Sequence, residues 1–349
     1  MKYTAIKGVQ AGKEYFTIMV KLKELETLFP KLEEEVLPER RAQRKLNQKR
    51  IPTIKRYIVE NLDTYVFSAL AGSVDGRIDF TPFSDKYPEV GILEISERAT
   101  FLINDGQHRK TAIIDALKEC PALADETIPV VLFRDMGLKR SQQMFTDLNK
   151  HAVKTSNSLS ELYDSTDKVA AVTRNLLEQN EFIGKYTDKE KDNLSMNSAT
   201  LFTFNTFYKA NKRIIGDSKN DEIKETLIIE FWRMVVENIE QWTMLENGEL
   251  PKSRLRSEYL VCQSVVIEAL GQVGNHFYVN GLDEAALIGL KKIDWHRSSK
   301  LWKKRCVKEK EKMVKNNAAV YLTANAIKSS LGLRLNDEEE KQENKFKRR

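Results

Sequence analysis

The spacing of apolar residues changes along this chain, and that change limits the folds open to it. Up to about residue 155, short apolar runs alternate with helical stretches; beyond it, helical spacing dominates. The runs at 15–20, 64–70 and 128–133 predict strands, and those at 90–95 and 99–103, joined by Ser96-Glu97-Arg98, predict a hairpin. Turn residues predict a loop over 72–88. Helices are predicted over 22–36, 39–60, 107–119 and 138–149, with Pro52 tolerated where a new helix starts. In the second part the helical stretches are 166–179, 198–210, 221–240, 257–273, 283–293 and 316–331. Asp221 and Asp283 suit N-caps there, and Gly271 and Gly274 suit the end of the fourth. Segment 336–349 holds no apolar residue except Phe346 and is expected to fray. The expected class is therefore α+β: a mixed domain over 1–155, an all-α domain over 156–335 and a frayed tail over 336–349.

Charge is segregated along this framework. The net value is +6, from 57 basic and 51 acidic residues. Residues 40–56 hold Arg40, Arg41, Arg44, Lys45, Lys49, Arg50, Lys55 and Arg56 and no acid, while 291–315 carry a net +8; with +8 in each segment, the remainder is −10. An acidic body with two basic segments points to a polyanion partner. Arg40, Arg41, Arg44 and Lys45 share one helical face, continued by Lys49 and Arg50, and Gln43, Asn47 and Gln48 lie within reach of base edges. In the second segment Trp295, Trp302 and Cys306 are spaced as one buried stripe. That leaves His296, Arg297, Lys300, Lys303, Lys304 and Arg305 as the exposed, phosphate-contacting face.

Other chemistry has little support. Three cysteines form no CxxC pair, four histidines have no HxH or HExxH spacing, and no metal site is expected. There is no Walker A or GxSxG motif. No run of 18 apolar residues and no apolar leader core appear, so the expected location is the cytoplasm, with no membrane partner.

The most site-like stretch is Asn104-Asp105-Gly106-Gln107-His108-Arg109, where an apolar strand runs straight into a helix. A strand-to-helix turn aims backbone N–H groups outward and suits a phosphate. Gly106 permits close approach or positive φ, and Arg109 and Lys110 supply charge. Asp105 has three uses open to it: capping the helix, holding His108 or Arg109, or coordinating Mg²⁺. An ordinary N-cap accounts for the pattern equally well. Asn149, Lys150 and Lys154 offer further phosphate donors at the end of the following helix; cations offsetting a helix dipole are the plain alternative. Glu94 and Glu97 suit solvent-facing hairpin positions.

Asp105-Gly106-Gln107-His108-Arg109 resembles the signature of the DGQHR-domain proteins. The continuation 110–113 and the stretches 127–133 and 140–150 extend the resemblance over most of the chain to the DndB family of bacterial DNA phosphorothioation (dnd) systems. That resemblance implies a ParB/sulfiredoxin-like N-terminal domain. In it Gly106 and Arg109 would grip a nucleotide phosphate with Gln107 and His108 between them, joined by Asn149 and Lys150, so that Arg109→Ala would cost nucleotide binding and leave the fold intact. It also implies a transcriptional repressor of the dnd operon, with double-stranded promoter DNA and the other sulfur-modification proteins as partners. A homodimer would match a two-fold operator. The competing expectation is an enzyme, an ATPase or DNA nickase using ATP or another nucleotide with Mg²⁺, with Asp105 and His108 as its catalytic pair.

Overall fold

The structure is a computed structural model that describes residues 1–30, 47–134, 143–144, 146–147, 155–216, 223–308 and 312–348. It divides into two compact units, Met1–Val153 and Lys154–Arg349. The first holds a seven-stranded sheet with flanking helices and the second is mainly helical, an α+β architecture.

In the first unit the strands are β1 (Lys2–Gln10), β2 (Lys13–Lys21), β3 (Leu70–Asp75), β4 (Ile78–Ser84), β5 (Tyr87–Ile95), β6 (Thr100–Asp105) and β7 (Thr127–Arg134). Their order in the sheet is β4-β5-β1-β2-β7-β3-β6, antiparallel except for the β3–β7 pair. The β1–β2 hairpin closes through Ala11-Gly12, both at positive φ, as a two-residue hairpin turn requires. β1 was not predicted, and the stretch predicted as a loop holds most of β3, all of β4 and the start of β5. The predicted 64–70 strand begins only at Leu70.

The expected 90–103 hairpin does not form. β5 pairs with β1 and β4, whereas β6 pairs with β3 at the opposite edge of the sheet. Short links nevertheless join these edges, so the sheet curls until they approach. Arg134 Nη2 of β7 donates to the Ile78 carbonyl of β4 at 3.0 Å, and the Phe16 and Phe80 rings pack across the curl, tilted, with centroids 5.5 Å apart. The inner face buries Phe16, Ile18, Val20, Val130 and Leu132. Helices α1 (Leu25–Leu28) and α3 (Gln107–Leu117) bring Leu25, Phe29, Ile113 and Ala116 to the same core, and α2 (Ile51–Glu60) adds Ile58. Gly72 is a packing necessity, since a Cβ there would lie 2.9 Å from the Phe29 ring.

The helices of the second unit include α4 (Asn157–Tyr163), α5 (Lys168–Gln179), α6 (Glu181–Tyr186), α7 (Phe204–Ile215), α8 (Glu225–Asn238), α9 (Glu240–Glu246), α10 (Lys252–Glu258), α11 (Ser264–Asn280), α12 (Glu284–Ile288), α13 (Asn317–Ser330) and α14 (Asp337–Lys347). Gly271 and Gly274 do not end a helix. They lie inside α11, where a Cβ at Gly271 would meet the Ala210 carbonyl of α7 at 2.4 Å, so glycine lets the two backbones approach. Trp232 is fully buried and donates from Nε1 to Asn211 Oδ1 at 2.8 Å, and Asn211 donates to Thr173 Oγ1 at 3.0 Å. Asp283 caps α12 through the Ala286 N–H, while Asp221 lies outside the described residues.

The last segment is a helix, not a frayed tail. Asn336 and Glu339 form a capping box at the start of α14. Glu339 is fully buried and accepts from Lys328 Nζ at 2.7 and 2.8 Å, and Glu343 receives both Arg305 nitrogens at 2.7 Å. Polar composition suggested fraying because it hides buried charge pairing, which docks this helix onto α13.

Candidate functional site

β6 ends at Asp105 and α3 begins at Gln107, so the Asp105-Gly106-Gln107-His108-Arg109 stretch is a strand-to-helix turn. Gly106 is its N-cap at φ 100°, and a Cβ there would sit 2.4 Å from the Leu70 side chain. Both facts require glycine. A register shift between Ala71 and Gly72 on the partner strand lies directly opposite the turn.

Arg109 faces inward. Its Nη1 donates to the Ser68 carbonyl at 2.6 Å and the Ala69 carbonyl at 3.1 Å, and to Ser68 Oγ, while Nη2 pairs with Asp105 Oδ2 at 2.6 Å. Of the uses open to Asp105, holding Arg109 is the one the structure shows. Lys110 is buried and its ammonium donates to the Phe29 carbonyl. Both cations expected to face a phosphate are thus bound to the protein's own oxygens. As it stands, the turn does not fit the nucleotide grip expected of Arg109. Among the described residues no three His, Cys, Asp or Glu side chains gather to hold a metal ion, and Glu94 pairs with Lys2 at 2.6 Å.

His108 has a different job. Its Nε2 accepts the backbone N–H of Asn47 at 2.9 Å. Asn47 in turn caps the short 3₁₀ turn Gln48–Arg50, its side chain accepting from the Lys49 N–H at 3.2 Å, and α2 follows with Pro52 in its first turn. α2 packs on α3. The basic segment and the turn, separate in sequence, are therefore neighbours. Gln48, Lys49, Arg50 and Arg56 are exposed, and among the described residues the last three form no ion pair. Lys55 pairs with Glu119. Arg40, Arg41, Gln43, Arg44, Lys45, Asn149, Lys150 and Lys154 lie outside the described residues.

Several neighbours of this region were not predicted. Ser68 and Ala69 receive Arg109 from a stretch whose apolar run predicts a strand, and no local sequence signal marks them. Tyr57 and Phe67 pack edge to face at 5.9 Å, with Tyr65 against Phe67 at 5.7 Å. Burial and a hydrogen bond to Glu126 push the Tyr65 hydroxyl well above its ordinary pKa. Asn104, also buried, accepts from Ser73 Oγ at 2.7 Å, and its Nδ2 has no hydrogen-bond partner among the described residues.

The second basic segment belongs to the helical unit. Trp295 and Trp302 are buried and stacked at 5.3 Å, their indole N–H groups donating to the Leu290 and Asp294 carbonyls. Lys300, Lys303 and Lys304 are exposed, with Lys304 at φ 63° in a tight turn. Arg305 is not on this face: it is paired with Glu343, donates to the Leu322 carbonyl at 3.0 Å and lies 4.4 Å over the Phe346 ring. A neighbouring basic run concealed that its partner lay in the tail.

The fold and this turn define a two-unit α+β protein carrying a DGQHR element. Residues 3–334 match the DndB family, described as DNA-sulfur modification-associated, and the chain belongs to that family. Membership links it to DNA sulfur modification. No curated protein and no solved structure matched the chain. No helix among the described residues is long and apolar enough to cross a membrane.

Proposed function

We propose that this protein is a DNA-binding regulator that represses transcription of the operon encoding its DNA sulfur-modification system. One observation carries the reading: Lys49, Arg50 and Arg56 are exposed, with no ion pair among the described residues, on a segment tied to the DGQHR turn by the Asn47–His108 hydrogen bond. Tethering a cationic segment before binding lowers the ordering cost on meeting a phosphate backbone. Gln48, beside them, reaches toward base edges. Arg40, Arg41, Arg44 and Lys45 extend this surface on sequence grounds, and Lys300, Lys303 and Lys304 supply further phosphate contacts. A cytoplasmic homodimer on a two-fold operator, in contact with the other modification proteins, completes the reading. The ParB/sulfiredoxin likeness of the first unit belongs to it as well.

A second reading makes the turn a nucleotide site of an ATPase or nickase using Mg²⁺. It is favoured by the left-handed glycine that starts α3 directly at a strand end. Asn149 and Lys150 would add donors, and Arg109 would have to leave Asp105.

Footprinting on the protein's own upstream DNA, with and without ATP and Mg²⁺, separates the two. Protection without cleavage supports the repressor. Nicking or phosphate release, or no protection at all, sinks it.

A further inference from the structure

The helical unit contains a cleft that the sulfur-modification reading does not use. α11 packs against both α7 and α13, and a cleft of about 440 Å³ opens between them. Its lining includes Lys209, Lys212 and Arg213 of α7, Glu268 of α11, Lys315, and Asn317 in the first turn of α13. Four cations therefore face one carboxylate.

That carboxylate is already neutralised. Arg213 donates from Nε and Nη2 to Glu268 Oε2 at 3.1 and 2.9 Å, and its Nη2 also reaches Asn317 Oδ1 at 2.8 Å. The guanidinium is thus held rigidly between α7, α11 and α13. Lys209, Lys212 and Lys315 are exposed and form no ion pair among the described residues. Three like charges gathered at one cleft whose lining carboxylate is already paired with Arg213 repel one another, and an anion between them relieves that repulsion. Glu161, the carboxyl group that interacts with Lys209 and Lys212, is held toward its neutral form by burial. α13 is 14 residues long and begins at the cleft, so the positive end of its dipole adds to the field.

The lining also limits the ligand. Among the described lining residues Val320 is the one apolar side chain, and none carries an aromatic ring. A site that recognised a nucleobase would offer a stacking face. This one presents charge and amide donors only. We propose that the cleft over α11 is a phosphoryl-binding site for the phosphates of a nucleic-acid backbone or of a free polyphosphate, recognised by Lys209, Lys212 and Lys315 around the fixed Arg213. It is separate from the basic segment beside His108 and needs no operator sequence.

The test uses the full chain and the triple variant Lys209→Ala, Lys212→Ala, Lys315→Ala, whose side chains form no ion pair among the described residues. Binding is measured to a duplex of arbitrary sequence by fluorescence anisotropy across a salt series, and to inorganic tripolyphosphate by calorimetry. A second triple, Lys341→Ala, Lys345→Ala, Lys347→Ala, removes equal charge elsewhere on the unit. The cleft variant is expected to lose at least tenfold in affinity for one probe, with the control retaining it. Loss on the duplex, with a salt slope smaller by roughly two to three, assigns the backbone as source. Loss confined to tripolyphosphate assigns a free polyphosphate. Wild-type protein that binds neither probe, a cleft variant equal to wild type on both, or a control that loses as much each overturns the site. Lys49 and Arg50 stay intact throughout, so failure here is distinct from failure of the repressor reading.

Discussion

Asn47 donates its backbone N–H to Nε2 of His108 at 2.9 Å, across 61 positions of sequence. This hydrogen bond joins the first turn of α3 to the basic segment, just ahead of α2. It gives the histidine of the DGQHR element a positioning role that needs no bound nucleotide.

Replacing His108 with Ala removes the acceptor and leaves the Asn47 N–H to solvent. A net hydrogen bond contributes about 1 kcal/mol. Amide exchange at residues 47–51 is therefore expected to quicken by roughly fivefold, with weaker DNA binding and little change in β-sheet protection. Unchanged exchange at Asn47 would show that the contact does not order the segment.

Arg109→Ala is expected to destabilise the first unit by about 2–3 kcal/mol, because the guanidinium ties Asp105 to the Ser68 and Ala69 carbonyls. Lysine cannot reproduce the planar fork, so Arg109→Lys should recover only part of the loss. Urea unfolding measures both. A variant as stable as wild type would return Arg109 to the ligand-gripping role expected from resemblance.

Neutralising Lys49, Arg50 and Arg56 together should weaken binding to promoter DNA and reduce its salt slope by up to about three. The three side chains carry no internal ion pair among the described residues, so the melting temperature should hold. Binding and slope equal to wild type would remove this segment from the interface.

Glu339→Ala should cost about 3–5 kcal/mol, since it strands the Lys328 ammonium, 3% exposed, without its partner. The double variant Lys328→Met, Glu339→Leu should be much less harmful. Equal damage by both would show that packing of α14, and not the charge pair, holds the helix.

Glu161 gives stability a pH dependence. Burial pushes its carboxyl from 4.5 up to about 7, against the pull of Lys209 and Lys212. Its Oε2 has no hydrogen-bond partner among the described residues. The folded state binds the proton more tightly than the unfolded state, so stability from this group is full below about pH 4.5 and is lost as pH rises through 7. The site is only partly buried, and solvent screening reduces the effect to about 1 kcal/mol. Glu161→Gln should flatten thermal stability between pH 5 and 8 relative to wild type. A parallel pair of curves would contradict the assignment.

Much of this was legible locally. Strand spacing at 15–20 and 128–133, and the polar turn after 100–103, lie where β2, β7 and the β6–α3 turn form. The buried Trp295 and Trp302 were legible because both are large apolar side chains at regular spacing. β1 was missed because alternating Lys2, Thr4 and Ile6 show little contrast, and its outward Ile6 stays exposed.

The sequence by itself determined the α+β class, the strand-to-helix turn at Gly106 and the division of charge, because each depends on residues close together in the chain. Tertiary structure alone decided which strands pair, and so placed β5 between β4 and β1 and sent β6 to the opposite edge of the sheet. It also turned Arg109 toward Ser68 and Ala69, drew Arg305 off the basic face and converted the polar tail into a docked helix. Each of those outcomes depends on a partner far along the chain. A charged side chain left near burial must find one, and only the folded backbone determines which oxygen or carboxylate comes within reach.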